Sequence, residues 1–307
     1  MKTLQSKNIG VLMGGLSPER EISLLTGNAV LGAIRKLGLT AKGIDVDRNI
    51  AATLKEKQID LAFIALHGTY GEDGTIQGLL EYAGIPYTGA GVLGSALAYN
   101  KVKSKEVFKV NSIPTADYQV AYRKQRDCFR RNLDLPLVVK PSDQGSSLGI
   151  SIVMDEKKWK PALDLAFEYS EEVLIEEFVE GRLVAVGMNG EEPMPVVHIR
   201  PRSGFYDYEA KYTQGKTEYR CPADLGASEA AQLNDVARAV FRALGARGVP
   251  RIDAIIDGAG VPKVLEMNTI PGMTPTSLLP MAAKEAGMDF ETLTLEILKK
   301  AARDYED

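Results

Sequence analysis

Cysteine, histidine and tryptophan are scarce in this chain of 307 residues, which holds two cysteines, two histidines and one tryptophan. Cys128 and Cys221 are too few and too far apart in sequence for a disulfide framework or a thiolate metal cluster, so a reducing compartment fits best. His67 and His198 alone argue against a histidine metal site or a catalytic triad. No charge of one sign predominates either. The 37 basic and 41 acidic residues leave a net charge of −4, which offers no general attraction for nucleic acid or anionic lipid and confines anion binding to local sites. Long apolar runs are missing as well. The first, Ile9–Met13, stops at Gly14-Gly15 before it could serve as a signal-peptide core, and none approaches the roughly 18 residues of a membrane span. A cytoplasmic protein with neither nucleic-acid nor membrane partners is expected. Repeats and low-complexity linkers are absent too, so domain boundaries have to be read from changes of pattern.

What is present belongs to an ordinary globular chain. The composition is 45% apolar and 25% charged, and at roughly 150 residues per domain the length allows two or three units. Residues 9–97 alternate β-rich runs with helix-like stretches, the pattern of parallel strands joined by helical crossovers. Ile9–Met13 and residues 61–66 read as buried strands, and residues 17–21 as a helix start with Ser17 at the N-cap and Pro18 just inside. A lysine-bearing helical stretch over 95–110 is closed by Pro114. Then come a strand at 135–140, a glycine and serine loop at 145–149, a returning strand at 150–154 and an amphipathic helix at 158–169. Beyond residue 184 lie further strands, a tyrosine-rich loop at 203–222, a helix at 228–244, a hairpin turning on 257–260 and a C-terminal helix from Phe290.

Three segments carry the chemical signal. In Val-Leu-Glu266-Met-Asn268, strand alternation puts Glu266 and Asn268 on one face, and a hairpin that folds Asp253 back beside them would converge three hard oxygen donors of the kind Mg²⁺ prefers. Read alone, these residues fit solvated strand-edge polars equally well; Pro271-Gly272-Met273 directly after them adds a special turn. In Lys140-Pro-Ser-Asp-Gln-Gly145-Ser146-Ser147-Leu-Gly149, successive N–H groups and hydroxyls can face phosphate oxygens while Lys140 adds a point charge, although such a loop is more often a plain hairpin and the spacing is not that of a Walker P-loop. Lys101, on a charged helical stretch, is a weaker signal of the same kind. The third is the loop at 205–212, whose aromatic residues suit a lid and whose Lys211 suits a phosphate. Glu19 and His67 follow strand ends, where open α/β sheets bind ligands; a first-turn acid and a satisfied histidine are their plainer roles.

Taken together, these segments resemble the D-alanyl-D-alanine ligases of the ATP-grasp superfamily, nearly end to end. The resemblance rests on Gly-Gly-Leu-Ser-Pro-Glu-Arg-Glu at 14–21, Ala-Leu-His-Gly-Thr-Tyr-Gly-Glu-Asp-Gly at 65–74, Pro-Tyr-Thr-Gly at 86–89 and Lys-Pro-Ser-Asp-Gln-Gly-Ser-Ser-Leu-Gly at 140–149. It continues through Phe-Tyr-Asp-Tyr-Glu-Ala-Lys-Tyr at 205–212 and Glu-Met-Asn-Thr-Ile-Pro-Gly-Met-Thr at 266–274. It implies an α/β and α+β chain: a Rossmann-like N-terminal domain at 1–97, a central ATP-grasp subdomain at 98–183, and a C-terminal ATP-grasp subdomain at 184–307 holding the metals and the lid. The implied reaction phosphorylates the carboxylate of one D-alanine with ATP and lets the amine of a second displace phosphate, in peptidoglycan precursor synthesis.

The roles follow from the same resemblance. Asp253, Glu266 and Asn268 would hold two Mg²⁺, with Mn²⁺ able to substitute; Lys101, Lys140 and Lys211 would contact phosphates, with Ser147 in the same loop. Glu176, Glu177 and the backbone near Val179 would form the adenine hinge. Glu19 would take the ammonium of the first D-alanine beside His67, and Ser146 and Tyr212 would tie Glu19 to the lid. Arg251 and the backbone of Gly272 would stabilise the tetrahedral oxyanion, and Ser277 with the Leu278 backbone would bind the carboxylate of the second D-alanine. A homodimer is implied too. The chain departs from the pattern around one segment: Leu183 stands where the family carries a glutamate that binds the ribose, with Val184-Ala185 following where a threonine is usual, and Glu177 stands where lysine is common. The alternatives are a ligase joining D-alanine to D-lactate or D-serine, and a catalytically impaired nucleotide or D-amino-acid binding homologue.

Overall fold

Three separate β-sheets organise the chain. They are seen in a computed structural model that describes residues 2–305 except 146, 203, 205, 207–209, 211, 212, 214 and 275. After a one-turn helix α1 (Lys2–Gln5), strands β1 (Ile9–Met13), β2 (Ala41–Asp45) and β3 (Leu61–Ile64) form a parallel sheet in the order β2-β1-β3. Every residue of β1 and β3 is buried, as expected where helices cover both faces of a parallel sheet. Helix α2 (Arg20–Lys36) lies across it, burying Ser23, Thr26, Gly27, Val30, Leu31 and Ile34 at helical spacing. The approach at Gly27 is so close that a Cβ there would stand 2.4 Å from the Cβ of Met13. Helices α3 (Ile50–Glu56) and α4 (Thr75–Tyr82) complete this part.

The helical stretch expected over 95–110 is two helices, α5 (Val92–Tyr99) and α6 (Lys101–Val110), broken at Asn100. Asn100 is extended (ψ 105°) and its side chain accepts from the Lys103 N–H, so it caps the second helix rather than continuing the first. Strands β4 (Tyr118–Tyr122), β5 (Leu137–Pro141), β6 (Ser151–Val153) and β7 (Glu172–Glu177) form an antiparallel sheet in the order β4-β7-β5-β6. Helix α7 (Trp159–Tyr169) covers one face, packing Leu163, Ala166 and Phe167 on Leu137, Val139, Val173 and Ile175. Alternation turns Lys140 and Glu176 to the opposite face, toward α6.

The third sheet runs β11 (Thr217–Arg220), β10 (Val197–Pro201), β8 (Gly181–Asn189), β12 (Arg251–Asp257), β13 (Pro262–Asn268), with β9 (Glu192–Pro193) paired to β8. Thus part of the stretch read as one tyrosine-rich loop is a strand, β11. Helix α8 (Ala227–Ala243) buries Leu233, Ala237 and Val240 against Val184, Val186, Ile252, Ala254 and Val264. The alternate residues, among them Arg251 and Asp253, belong to the other face. The expected boundary at 183 falls inside β8, whose pairing with β12 already begins at Gly181. Finally α9 (Leu278–Glu285) and α10 (Phe290–Lys299) return to the first sheet, where Leu279, Ala282, Leu293 and Ile297 share a core with Val30, Ile34 and Phe63.

Candidate active site

A cavity of about 500 Å³ opens where the start of α2, the start of α6, the loop after β5 and the end of β13 come together. Of the residues singled out in the sequence, Glu19, His67, Lys101, Ser147, Arg251, Glu266, Asn268, Gly272, Ser277 and Leu278 line it. Ser146, Lys211 and Tyr212 lie outside the described residues.

Glu19 reaches the cavity from the turn before α2. Ser17 does not cap that helix as the sequence suggests: its hydroxyl donates to the His67 carbonyl at 2.6 Å and accepts from the Glu19 N–H at 3.2 Å, so the helix begins only at Arg20. The Glu19 carboxylate fills space that only glycine leaves. A Cβ on Gly68, whose φ is +72°, would stand 2.7 Å from Oε2, and one on Gly145 would stand 2.4 Å from it. The carboxylate therefore lies between the loop after β3 and the loop after β5, joining the first two sheets. His67 is buried, with Nε2 3.1 Å from the Thr26 hydroxyl and Nδ1 3.9 Å from Glu72, so it is hydrogen-bonded and yet forms part of the wall.

The hairpin β12–β13 supplies the opposite wall. Arg251 lies across from Asn268, and Asp253 across from Glu266, which places all four side chains on the face away from the Ile252–Val264 core. Arg251 grips Asp253 with both arms of its fork, Nε and Nη2 each at 2.7 Å, and the Asn268 amide donates to Asp253 at 3.2 Å. Burial opposes the Arg251 charge, but the facing Asp253 carboxylate outweighs it and raises the guanidinium above its ordinary value. Lys101 donates to the Gln144 carbonyl at 2.6 Å and stands 3.7 Å from Glu266. Asp253 itself is turned behind Arg251 and does not line the cavity. Among the described residues no three His, Cys, Asp or Glu side chains converge. The hairpin offers instead two carboxylates and one amide, a hard all-oxygen donor set that suits Mg²⁺; with its amide nitrogen given to Asp253, Asn268 keeps Oδ1 for a cation.

At the far end Ser277 precedes α9, whose leading N–H groups lack intrahelical acceptors and make a positive end beside the cavity. The Ser277 hydroxyl accepts from the Thr274 N–H at 3.1 Å and lies 2.8 Å from the Thr274 hydroxyl. Ser147, with φ +61°, donates to the carbonyl of Tyr206, the described part of the expected lid that meets this loop. Tyr206 also lines the cavity, its ring edge-on to Tyr219 at 6.5 Å.

Lys140, Glu176, Glu177 and Val179 do not line this cavity. Lys140 and Glu176 are paired and buried on the α6 side of the second sheet, and Glu177 accepts from the Asp117 N–H at 3.2 Å. Val179 lies in the connection from β7 to β8, between the second and third sheets. Sequence reasoning missed Lys105, which is wholly buried and paired with Glu176. Its only signal was a place on a charged helix, the commonest setting for a solvated lysine.

The chain is similar to known proteins over nearly its whole length. Residues 107–299 match the family described as D-ala D-ala ligase C-terminus, and residues 40–90 that described as D-ala D-ala ligase N-terminus. The chain is 48% identical to a D-alanine–D-alanine ligase of Syntrophotalea carbinolica over 299 residues, covering 97% of both chains. It is also 48% identical to one of Geobacter sulfurreducens, covering 97% of this chain and 95% of that one. Among solved structures, D-alanine–D-alanine ligase of Bacillus anthracis complexed with ATP superposes with a TM-score of 0.84 at 32% identity, covering 96% of this chain and 97% of the other. The VanG D-Ala:D-Ser ligase of Enterococcus faecalis does so with a TM-score of 0.83 at 30% identity, covering 96% and 99%.

Proposed function

The chain belongs to the D-alanine–D-alanine ligase family, with the ATP-grasp fold, and from that premise we propose the roles of its residues in the ATP-dependent joining of two D-alanines for peptidoglycan synthesis. One observation carries the reading: a single cavity gathers an acid for an ammonium (Glu19), cations for phosphates and an oxyanion (Lys101, Arg251), cation ligands (Glu266, Asn268) and a positive helix end for a carboxylate (Ser277).

A carboxylate is a poor acyl donor, so the γ-phosphoryl group of ATP first passes to the carboxylate of one D-alanine and ADP leaves. The amine of the second then forms the C–N bond, and phosphate departs with the electrons of the broken C–O bond. Glu19, fixed between Gly68 and Gly145, holds the ammonium of the first D-alanine and so aims its carboxylate into the cavity. Lys101 neutralises phosphate charge from the start of α6, Lys140 contacts phosphates from the second sheet, and the 176–179 segment holds adenine. Arg251, immobilised by Asp253, and the Gly272 N–H face the oxyanion of the tetrahedral species. Ser277 and the first N–H groups of α9 anchor the carboxylate of the second D-alanine. Asp253, Glu266 and Asn268 would hold Mg²⁺, whose charge offsets that of the transferring phosphoryl group. Ser146, Lys211 and Tyr212 keep the lid and phosphate roles the resemblance gives them. The three sheets are read as the N-terminal, central and C-terminal units, with the second boundary moved from 183 to the connection at 178–180. The chain is read as cytoplasmic and homodimeric; among the described residues no helix is long and apolar enough to cross a membrane.

The test is coupled ADP release. D-alanine is expected to stimulate it and L-alanine not, with D-alanyl-D-alanine as the product; preferential incorporation of D-serine or D-lactate would move the chain to the other acceptor class, and no ADP release would leave only a binding protein.

Leu183 gives this site a feature of its own. It lies across from Ile255 on β12 and Ile199 on β10, two residues before Ala185, the partner of Asp253, so it shares the face of the sheet that bears the site. A leucine accepts no hydrogen bond from a ribose hydroxyl. Leu183→Glu is expected to lower the apparent Kd for ATP by about tenfold, the value of one hydrogen bond to a charged group. An unchanged Kd would mean that the ribose is held by other groups.

A further inference from the structure

Three charged side chains from three elements meet in the buried space between α6 and the second sheet. Lys105 and Lys140 each place Nζ against one oxygen of Glu176, and the three residues are 0%, 6% and 2% exposed. Lys105 has a second anchor. Its amine meets the Thr115 hydroxyl, which donates to the Val264 carbonyl of β13 at 2.6 Å, two residues from Glu266. Lys140 has no ion-pair partner but Glu176 among the described residues. Burial pulls the Lys105 amine below the ordinary lysine value with Glu176 opposing, and burial pushes Glu176 up, but the two lysines together outweigh it and hold its carboxyl below the ordinary range.

Two ammonium groups around one carboxylate leave an excess positive charge in a low-dielectric space, and an anion completes such a cluster. The two lysines are not equivalent. Lys105 is held from both the second and third sheets and stays; Lys140 is held by Glu176 alone and can leave. We propose that Lys105 is a positioning residue for nucleotide binding: by satisfying Glu176 permanently it releases Lys140 to the nucleotide phosphates. This rests on the assignment of Lys140 to those phosphates. Without Lys105, Glu176 would have Lys140 as its sole counter-ion, and a phosphate would have to break a buried one-to-one pair to recruit it.

The experiment is a mutant cycle on the full chain, read as the Kd for ADP by calorimetry and as KM for ATP against kcat. Lys105→Met is expected to raise the ADP Kd and the KM for ATP by about tenfold while kcat changes by less than about threefold, a coupling of ordinary size for a contacting network. Once Glu176 is neutral, Lys105 should cease to matter, so Glu176→Gln and Lys105→Met/Glu176→Gln should bind ADP equally within about twofold. A Lys105→Met protein with parental ADP affinity overturns the proposal, and so does a double variant about tenfold weaker than Glu176→Gln, which would show Lys105 acting directly or through the fold. If Lys105→Met alone does not fold, as judged by a thermal melt, the comparison of Glu176→Gln with the double variant decides, because the double variant removes one buried lysine together with the carboxylate charge. Lys140→Met separates the two levels: if it leaves ADP affinity unchanged, the phosphate assignment itself fails, whatever Lys105 does.

Discussion

Arg251→Met lowers kcat/KM for D-alanine by on the order of 10² to 10³, the loss that follows removal of one preorganised oxyanion donor. The size of the effect comes from how the side chain is held. Both arms of its fork are spent on Asp253 at 2.7 Å, so the guanidinium needs no reorganisation when negative charge develops beside it. The same substitution strips Asp253, only 8% exposed, of its counter-charge, and breaking a largely buried pair costs about 3 to 5 kcal/mol of stability. Arg251→Lys keeps the charge but not the two-pronged grip, and should recover part of the stability with little of the rate. Steady-state kinetics with a parallel urea melt checks both; turnover within about tenfold of the parent in Arg251→Met would remove Arg251 from the reaction.

Glu266→Gln is expected to cut kcat by more than about a hundredfold, since a metal-borne charge at a transferring phosphoryl group is worth several kcal/mol. The change is isosteric and keeps the strand pairing with Asp253, so the fold should survive. It removes one of the two carboxylates on the hairpin face and the negative neighbour of Lys101 at 3.7 Å. A Mg²⁺ titration of ADP release separates the causes. If ligation is the role, the variant needs more Mg²⁺ for half-maximal rate; an unshifted Mg²⁺ midpoint with normal turnover would deny Glu266 that role.

Much of this site could be read from the chain because its residues sit in local patterns. Glu266 and Asn268 share a face through the two-residue period of a strand, and Asp257 to Gly260 announces the hairpin that brings Asp253 beside them. What could not be read depends on distant partners. β2, Ala-Lys-Gly-Ile-Asp, has one buried residue and no apolar alternation; it is a strand because β1 pairs with it. Asn100 breaks a helix-like run because its backbone is extended and its side chain turns to cap α6 and accept from Ser142. Lys105 looks like surface charge until Glu176 and Thr115 meet it. Gly68 and Gly145 resemble turn glycines, and only their distance to Glu19 explains them.

The return of α9 and α10 to the first sheet has a consequence for how the molecule is made. Val30, Ile34 and Phe63 are translated well before Leu279, Ala282, Leu293 and Ile297, which share their core. At about 5 to 20 residues per second, the nascent amino-terminal sheet spends ten seconds or more with one apolar flank open to water, a natural docking place for a chaperone. A sheet translated before the other two is thus sealed only after both of them.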